Sequence, residues 1–78
     1  MARYETLRVC ELMLVEEDTG QEVMLFAKAG APTSGTTGTK ARRAPTGSLC
    51  VDLTNAATYQ NTNTQASPLW TLVGIQST

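Results

Sequence analysis

The strongest constraint on this fold is a strict alternation of side-chain type from residue 48 to residue 54. Leu49, Val51 and Leu53 are apolar, whereas the residues between them are small or polar. Successive side chains of a β-strand point to opposite faces, so a period of two is typical of a half-buried strand. The pattern therefore predicts a strand whose three apolar side chains are turned toward the core.

Two further strands are predicted after this one. Tyr59 lies in the returning arm of a hairpin and is predicted to be its inward-facing anchor. Residues 69–76 form the last strand, where Trp70 and Leu72 share one face and Val73 lies on the other. A strand that is apolar on both faces is expected to be covered twice. We expect another subunit to supply the second cover.

The N-terminal residues allow two interpretations. Residues 6–16 carry apolar side chains at both helical and strand spacing, so a helix is an alternative. A turn signal follows at residues 18–20, and residues 21–27 resume with apolar and aromatic side chains. We therefore predict an antiparallel hairpin. Its packing residues are Leu7, Val9, Val23, Leu25 and Phe26.

A long segment without apolar periodicity separates the two β regions. Residues 30–45 contain three glycines, two prolines and four threonines, a composition that predicts a flexible loop. Such a connection is unusual inside a compact monomer, so we expect it to drape over a neighbour or another surface. The predicted organisation is an N-terminal hairpin (1–28), a flexible Gly/Thr/Pro-rich loop (29–46) and a C-terminal β module (47–78), together forming one compact unit.

Size limits the core that these elements can build. A chain of 78 residues buries roughly 60% of its unfolded surface, and chains this small usually need disulfides, a metal or partner subunits. Cys10 and Cys50 can form at most one bridge and lack the spacing of a zinc or redox motif, so we expect reduced, buried thiols. Oligomerisation or docking on a larger body is the predicted source of the missing stability.

Charge is distributed unevenly, although the formal net charge is only −1. Residues 1–28 carry six acidic and three basic side chains, whereas residues 29–78 carry Lys40, Arg42 and Arg43 against a single acid. The near-neutral total predicts no general attraction to nucleic acid or to an anionic membrane. The opposite signs of the two halves suit head-to-tail contacts between copies.

The sequence offers no catalytic or metal-binding constellation. Histidine is absent, so the usual Ser–His and Cys–His pairs cannot form. Residues 34–40 resemble a phosphate-binding loop, but Thr39 precedes Lys40 where that loop requires glycine, which favours a linker. The acidic run at residues 16–18 lacks the spaced ligands of a calcium loop and is interpreted as a solvated hairpin tip. We expect no enzyme activity, no cofactor, no metal and no small-molecule substrate.

The C-terminal half resembles a module of virion proteins from tailed bacteriophages. The shared positions are Gly47-Ser48-Leu49, Asp52, Thr54-Asn55, Tyr59, Asn61-Thr62, Ser67-Pro68, Trp70-Thr71 and Val73-Gly74. This module ends small head-decoration proteins, head fibres and some tail-fibre parts, and a Gly/Ala/Pro/Thr-rich stretch precedes it, as in this chain. The resemblance covers roughly residues 29–76. Ala56 stands where the module favours glycine, so we expect a longer loop or a bulge there rather than a two-residue turn.

The resemblance implies a short β-rich unit, commonly trimeric, that sits on a capsid or a fibre. We therefore expect an all-β, small antiparallel hairpin or sandwich-like unit that forms homotrimers. The expected function is that of a capsid decoration, or cement, protein that binds the outer surface of the phage head and stabilises adjacent major-capsid subunits. Its partners are then itself and the major capsid protein, and its location is the virion exterior after assembly in the host cytoplasm.

Two sets of residues are expected to carry these contacts. Core and trimer contacts are predicted for Leu49, Val51, Leu53, Tyr59, Trp70, Leu72 and Val73. Capsid contacts are predicted for Lys40, Arg42 and Arg43. The alternative function is a head or tail fibre module that binds host glycans through its Thr- and Asn-rich loops. A cytoplasmic regulator of unrelated ancestry is a third hypothesis.

Overall fold

The computed structural model describes residues 8–74, and all of its regular structure is β. Five strands form one sheet in the order β1-β2-β3-β4-β5. The strands are β1 (Glu11–Val15), β2 (Glu22–Lys28), β3 (Leu49–Asp52), β4 (Ala57–Asn61) and β5 (Trp70–Val73). The all-β prediction is confirmed. Between residues 8 and 74 there is no helix with the length and hydropathy needed to cross a membrane.

The predicted N-terminal hairpin is present. β1 and β2 pair antiparallel, with Glu11 opposite Phe26 and Val15 opposite Glu22. The helical alternative is wrong for the described part of that segment, residues 8–16. Turn residues after β1 reverse the chain, and this decides the ambiguous pattern in favour of a strand.

The tip of this hairpin is organised by one carboxylate. Glu16 accepts hydrogen bonds from the Thr19 hydroxyl (2.6 Å) and from the backbone N–H groups of Asp18 (2.9 Å) and Thr19 (2.8 Å). The Thr19 hydroxyl is the largest cause of the lowered pKa of Glu16, because these bonds stabilise the charged form. The tip is therefore a closed acidic turn.

The sheet is mixed rather than wholly antiparallel. β2 and β3 run parallel, with Leu25 beside Leu49 and Lys28 beside Asp52. The expectation of an antiparallel, sandwich-like unit is wrong at this pair, and the described residues form a single sheet. Parallel neighbours need a crossover of a dozen or more residues. Residues 29–48, which we call the crossover, supply that length.

The core lies between the sheet and the crossover. Its buried cluster consists of Met24, Phe26, Ala44, Cys50 and Trp70, with Tyr59 packed against it. The rings of Phe26 and Trp70 meet edge to face, with centroids 5.5 Å apart. The indole Nε1–H of Trp70 donates to the Thr39 carbonyl at 3.1 Å. An irregular segment, rather than a second sheet, thus forms the second layer of the molecule.

The alternating segment forms β3 as predicted, but it faces the opposite way. Its buried side chains are Ser48, Cys50 and Asp52, each 0% exposed. Leu49 and Val51 are half-buried on the other face, and Leu53 is 66% exposed. The reason is the nature of the covering layer, whose backbone groups need hydrogen-bond partners. Asp52, for example, accepts the backbone N–H of Gly30, at the start of the crossover, at 3.0 Å.

Asp52 fixes the start of the turn between β3 and β4. Its Oδ1 accepts the backbone N–H groups of Gly30 (3.0 Å), Thr54 (3.0 Å) and Asn55 (3.2 Å). Its Oδ2 accepts the Asn55 side-chain amide at 2.7 Å, and this bond is the largest cause of the lowered pKa of Asp52. One carboxylate thereby joins the β3–β4 turn to the beginning of the crossover.

The same turn answers the expectation made for Ala56. Residues 53–56 form a four-residue turn, so the longer loop is present. Ala56 nevertheless has a φ of 53°, in the left-handed region that glycine adopts most easily. The longer turn therefore did not relieve the strain of a Cβ at positive φ.

Asn61 joins three segments from a fully buried position at the end of β4. Its Nδ2 donates to the carbonyls of Ala44 (3.0 Å) and Thr64 (3.2 Å). Its Oδ1 accepts the backbone N–H groups of Asn63 (2.9 Å) and Leu69 (3.0 Å). The side chain thus connects the crossover, the turn after β4 and the entry to β5.

Candidate interaction surface

One face of the sheet carries the crossover, whereas the other has no covering layer within residues 8–74. We call this second side the open face. It is made of the residues that alternate with the core side chains along each strand, and none of them is fully buried. They are Leu12, Leu14, Val23, Leu25, Ala27, Leu49, Val51, Thr58, Gln60, Thr71 and Val73.

The sheet register makes the apolar part of the open face continuous. Leu12 is paired with Leu25, and Leu25 with Leu49. Leu14 is paired with Val23. Cross-strand neighbours on one face lie about 5 Å apart and pack together. The three strands β1, β2 and β3 therefore present one apolar surface, and β4 and β5 extend it with mostly uncharged polar side chains.

No charged side chain belongs to the open face, and much of it is accessible to solvent. Leu14 is 52% exposed, Val73 43% and Leu12 42%. Exposed apolar area costs about 25 cal/mol per Å², and a sheet normally buries its apolar face against a second layer. A contiguous apolar patch of this kind marks a site of interaction.

Two grooves border the open face, each lined by some of its residues and by residues outside it. The first has a volume of 580 Å³ and is lined in part by Leu12, Leu25 and Val51. The second has a volume of 520 Å³ and is lined in part by Leu14 and Val23. A charged residue from outside the open face also lines each groove, Lys40 in the first and Glu16 in the second.

β1 is an edge strand that is exposed on both faces. Met13 (40% exposed) and Val15 (60% exposed) lie on the core side but beyond the reach of the core. Among the described residues, no strand pairs with the outer edge of β1. An apolar edge strand is a surface on which another chain can pack or pair.

The three basic residues predicted to contact a capsid are placed differently from one another. Lys40 and Arg43 both form ion pairs with Glu11 at the start of β1. The hydrogen bond from Lys40 is the largest cause of the lowered pKa of Glu11, and the Lys40 ammonium also lies 5.2 Å from the centroid of the Phe26 ring. Arg42 is exposed and has no ion pair within residues 8–74, although its backbone N–H donates to the Gln65 carbonyl at 2.7 Å.

The residues predicted to make core or trimer contacts are divided in the same way. Only Trp70 is buried in the core of the single chain, and Tyr59 packs against that core. Leu49, Val51 and Val73 lie on the open face, and Leu53 and Leu72 are 66% and 50% exposed elsewhere. These five are therefore not core residues of the single chain, and their role as trimer contacts stays a prediction.

The packing residues proposed for the first hairpin also separate. Phe26 is in the core, Val23 and Leu25 are on the open face, and Val9 is 55% exposed. Leu7 lies outside the described residues, as does the end of the last predicted strand from residue 75 onward.

Sequence reasoning missed two features of this surface. It did not single out Leu12 and Leu14, although their spacing of two places them on one face once β1 is accepted as a strand. It also assigned no structural role to the buried Asn61, although Asn61 is one of the positions shared with the virion module. The hydrogen-bond partners of Asn61 are spread from residue 44 to residue 69.

The nucleophilic and metal-ligating side chains of the described chain do not gather into a site. Between residues 8 and 74 no group of three His, Cys, Asp or Glu side chains could hold a metal ion. Both cysteines are free, with Cys50 buried and Cys10 exposed, so the expectation of burial is wrong for Cys10. Desolvation raises the pKa of the Cys50 thiol, which keeps it in the unreactive protonated form.

Comparison with known proteins found no matching protein family, curated protein or solved structure.

Proposed function

We propose that this chain is a structural virion protein, a capsid decoration protein that assembles as a homotrimer on the outer surface of a phage head. Two lines of support exist. The first is the resemblance of residues 29–76 to modules of such proteins. The second is the open face, which is the single structural observation that carries the proposal.

The open face supports a structural role because it gives the chain a reason to bind another protein surface. The core is small, with five buried side chains and Tyr59 packed against them. Burial of the uncovered apolar face against another protein surface would add stability that the single chain lacks. Contacts with identical copies or with a shell supply the second layer. A repetitive capsid offers many equivalent places for such contacts.

Weak contacts suffice for this function because they act together. A trimer that touches three capsid subunits binds with an effective concentration set by its own geometry, so its avidity exceeds the affinity of each contact. Each bound trimer then resists separation of the capsid subunits that it joins. This is how a protein of 78 residues can stabilise a much larger shell.

Arg42 is the basic residue best placed to meet an acidic capsid surface. Lys40 and Arg43 already neutralise Glu11, whereas Arg42 is exposed with no ion pair in the described chain. An Arg guanidinium can form two parallel hydrogen bonds to one carboxylate, which gives such a contact direction as well as charge.

The experiment is co-sedimentation of the purified chain with undecorated heads assembled from the major capsid protein of the same source. We expect saturable binding at a fixed number of trimers per head and a higher temperature of head disruption. Arg42→Glu is expected to weaken binding, whereas Thr37→Glu, which adds a carboxylate at another exposed position of the crossover, is expected to leave it nearly unchanged.

Other outcomes would redirect the proposal. If the chain binds host glycans but does not bind phage heads, the fibre or adhesion function would be favoured. A chain that binds neither heads nor glycans would remove the support for a virion role altogether.

A further inference from the structure

We infer that the open face is the surface on which a second copy of this chain packs, with the acidic hairpin tip of one copy against the basic end of the other. The inference rests on the proposed function, of which self-assembly is a part, and it names the surface and the orientation.

The absence of charge on the open face favours a second copy over a charged partner. Related copies bring the same side chains together around a symmetry axis, so any charge near that axis would meet its like. None of the eleven residues of the open face is charged. Two copies can therefore approach without burying an unpaired ion, which is the costliest event at an interface.

The size of the face indicates how strong this contact is. Five strands spaced about 4.8 Å apart, each four to seven residues long, give a footprint of roughly 400 Å² per copy. A standard interface buries about 800 Å² on each partner. The open face alone thus forms a modest contact, so the charged ends that flank it decide how the copies are oriented.

Charges of opposite sign occupy the two ends of the first hairpin. Glu17 and Asp18 are exposed at the tip that follows β1. Arg8 is exposed three residues before β1, at the far end of the hairpin. Lys28 ends β2 at that same end, on the core side of the sheet beside Asp52. Copies packed head to tail set each acidic tip against a basic end, whereas copies packed in the same direction set acid against acid.

The test is sedimentation equilibrium of the full chain and matched variants from about 1 to 200 μM. Leu14→Glu places a charge on the open face at a residue that is 52% exposed, and Met13→Glu places one on the opposite face of the same strand at a residue that is 40% exposed. We expect Leu14→Glu to weaken association by roughly tenfold or more. The exposed half of the leucine side chain would no longer be buried at the interface, and a carboxylate would have to be desolvated in its place. Met13→Glu should have little effect.

The orientation is tested by charge reversal at exposed residues of the two ends, where the fold is least at risk. Glu17→Lys and Arg8→Glu should each weaken association, more strongly at low salt, and the double variant should recover most of the loss. Circular dichroism checks that each variant is folded. Should Leu14→Glu fail to fold, this pair still tests the inference.

Each remaining outcome is decisive and separates the inference from the proposed function. Two results would overturn the inference while leaving head binding intact: dissociation by Met13→Glu but not by Leu14→Glu, or a double charge variant that associates as weakly as the two single charge variants. A wild-type chain that stays monomeric at 200 μM would overturn it as well. The co-sedimentation with heads then decides the decoration function by itself.

Discussion

Replacement of Asn61 by alanine is predicted to be among the most destabilising changes that the chain can undergo. The side chain is 0% exposed and makes four hydrogen bonds of 3.2 Å or less. Asn61→Ala leaves the backbone N–H groups of Asn63 and Leu69 and the carbonyls of Ala44 and Thr64 without these partners. A buried group left unsatisfied costs about 1–3 kcal/mol.

The magnitude follows from the two donors. Carbonyls retain a second lone pair and tolerate a lost bond better, so the two N–H groups dominate, at about 2–6 kcal/mol together. Water that enters the vacated space recovers part of this, which gives an expected loss of about 3–4 kcal/mol. A domain of this size is worth only about 4–12 kcal/mol in total. For a domain of this size, a loss of this magnitude lowers the melting temperature by about 10 °C or more.

The assay is urea and thermal unfolding at one fixed protein concentration, because association would otherwise shift the apparent stability. The matched control is Asn63→Ala, the same substitution two residues away at an exposed position, which removes a single 3.0 Å bond to the Ser67 carbonyl. We expect the control to cost about 1 kcal/mol or less. If both variants lose the same stability, or Asn61→Ala loses less than about 1 kcal/mol, the role assigned to this side chain is refuted.

Three further predictions concern the turns and the crossover. The pKa of Asp52 is lowered in the folded chain, so the ionised carboxylate stabilises the fold above the ordinary carboxyl pKa, and this stabilisation is lost as pH falls through the folded pKa. Acid titration below about pH 4 should therefore destabilise the wild type more than Asp52→Asn. Stability curves that run parallel with pH for the two proteins would contradict this. Ala56→Gly should raise the free energy of unfolding by about 0.5–1 kcal/mol, because relief of the strained Cβ at φ 53° outweighs the greater flexibility of the unfolded chain. A lower free energy of unfolding in denaturant would show that the turn is not strained. Gly38→Ala should lower stability by about 1–3 kcal/mol, because the new Cβ would lie 2.3 Å from the Thr33 carbonyl oxygen, and a neutral effect in thermal unfolding would mean that the crossover moves freely.

Local patterns in the sequence determined the kind of elements that form. Apolar residues two apart define β3, and the turn signal after β1 defines the first hairpin. These signals depend on neighbouring residues alone, because strand alternation and turn chemistry act over a few positions. The five residues of the predicted contact set that lie outside the core could be recognised as apolar, but their strand pattern did not say what would cover them.

Tertiary structure alone decided which face of each strand is buried. The period of two identifies two faces but does not say which one the rest of the chain will cover. The crossover returns β3 parallel to β2 and lies on the side of Cys50 and Asp52, where its backbone needs polar and small partners. Leu49 and Val51 are consequently left on the open face. The path of the crossover therefore decided which face of the sheet is exposed. A covering layer of irregular backbone needs hydrogen-bond partners and is matched by small or polar side chains, whereas an apolar covering layer would be matched by leucine and valine.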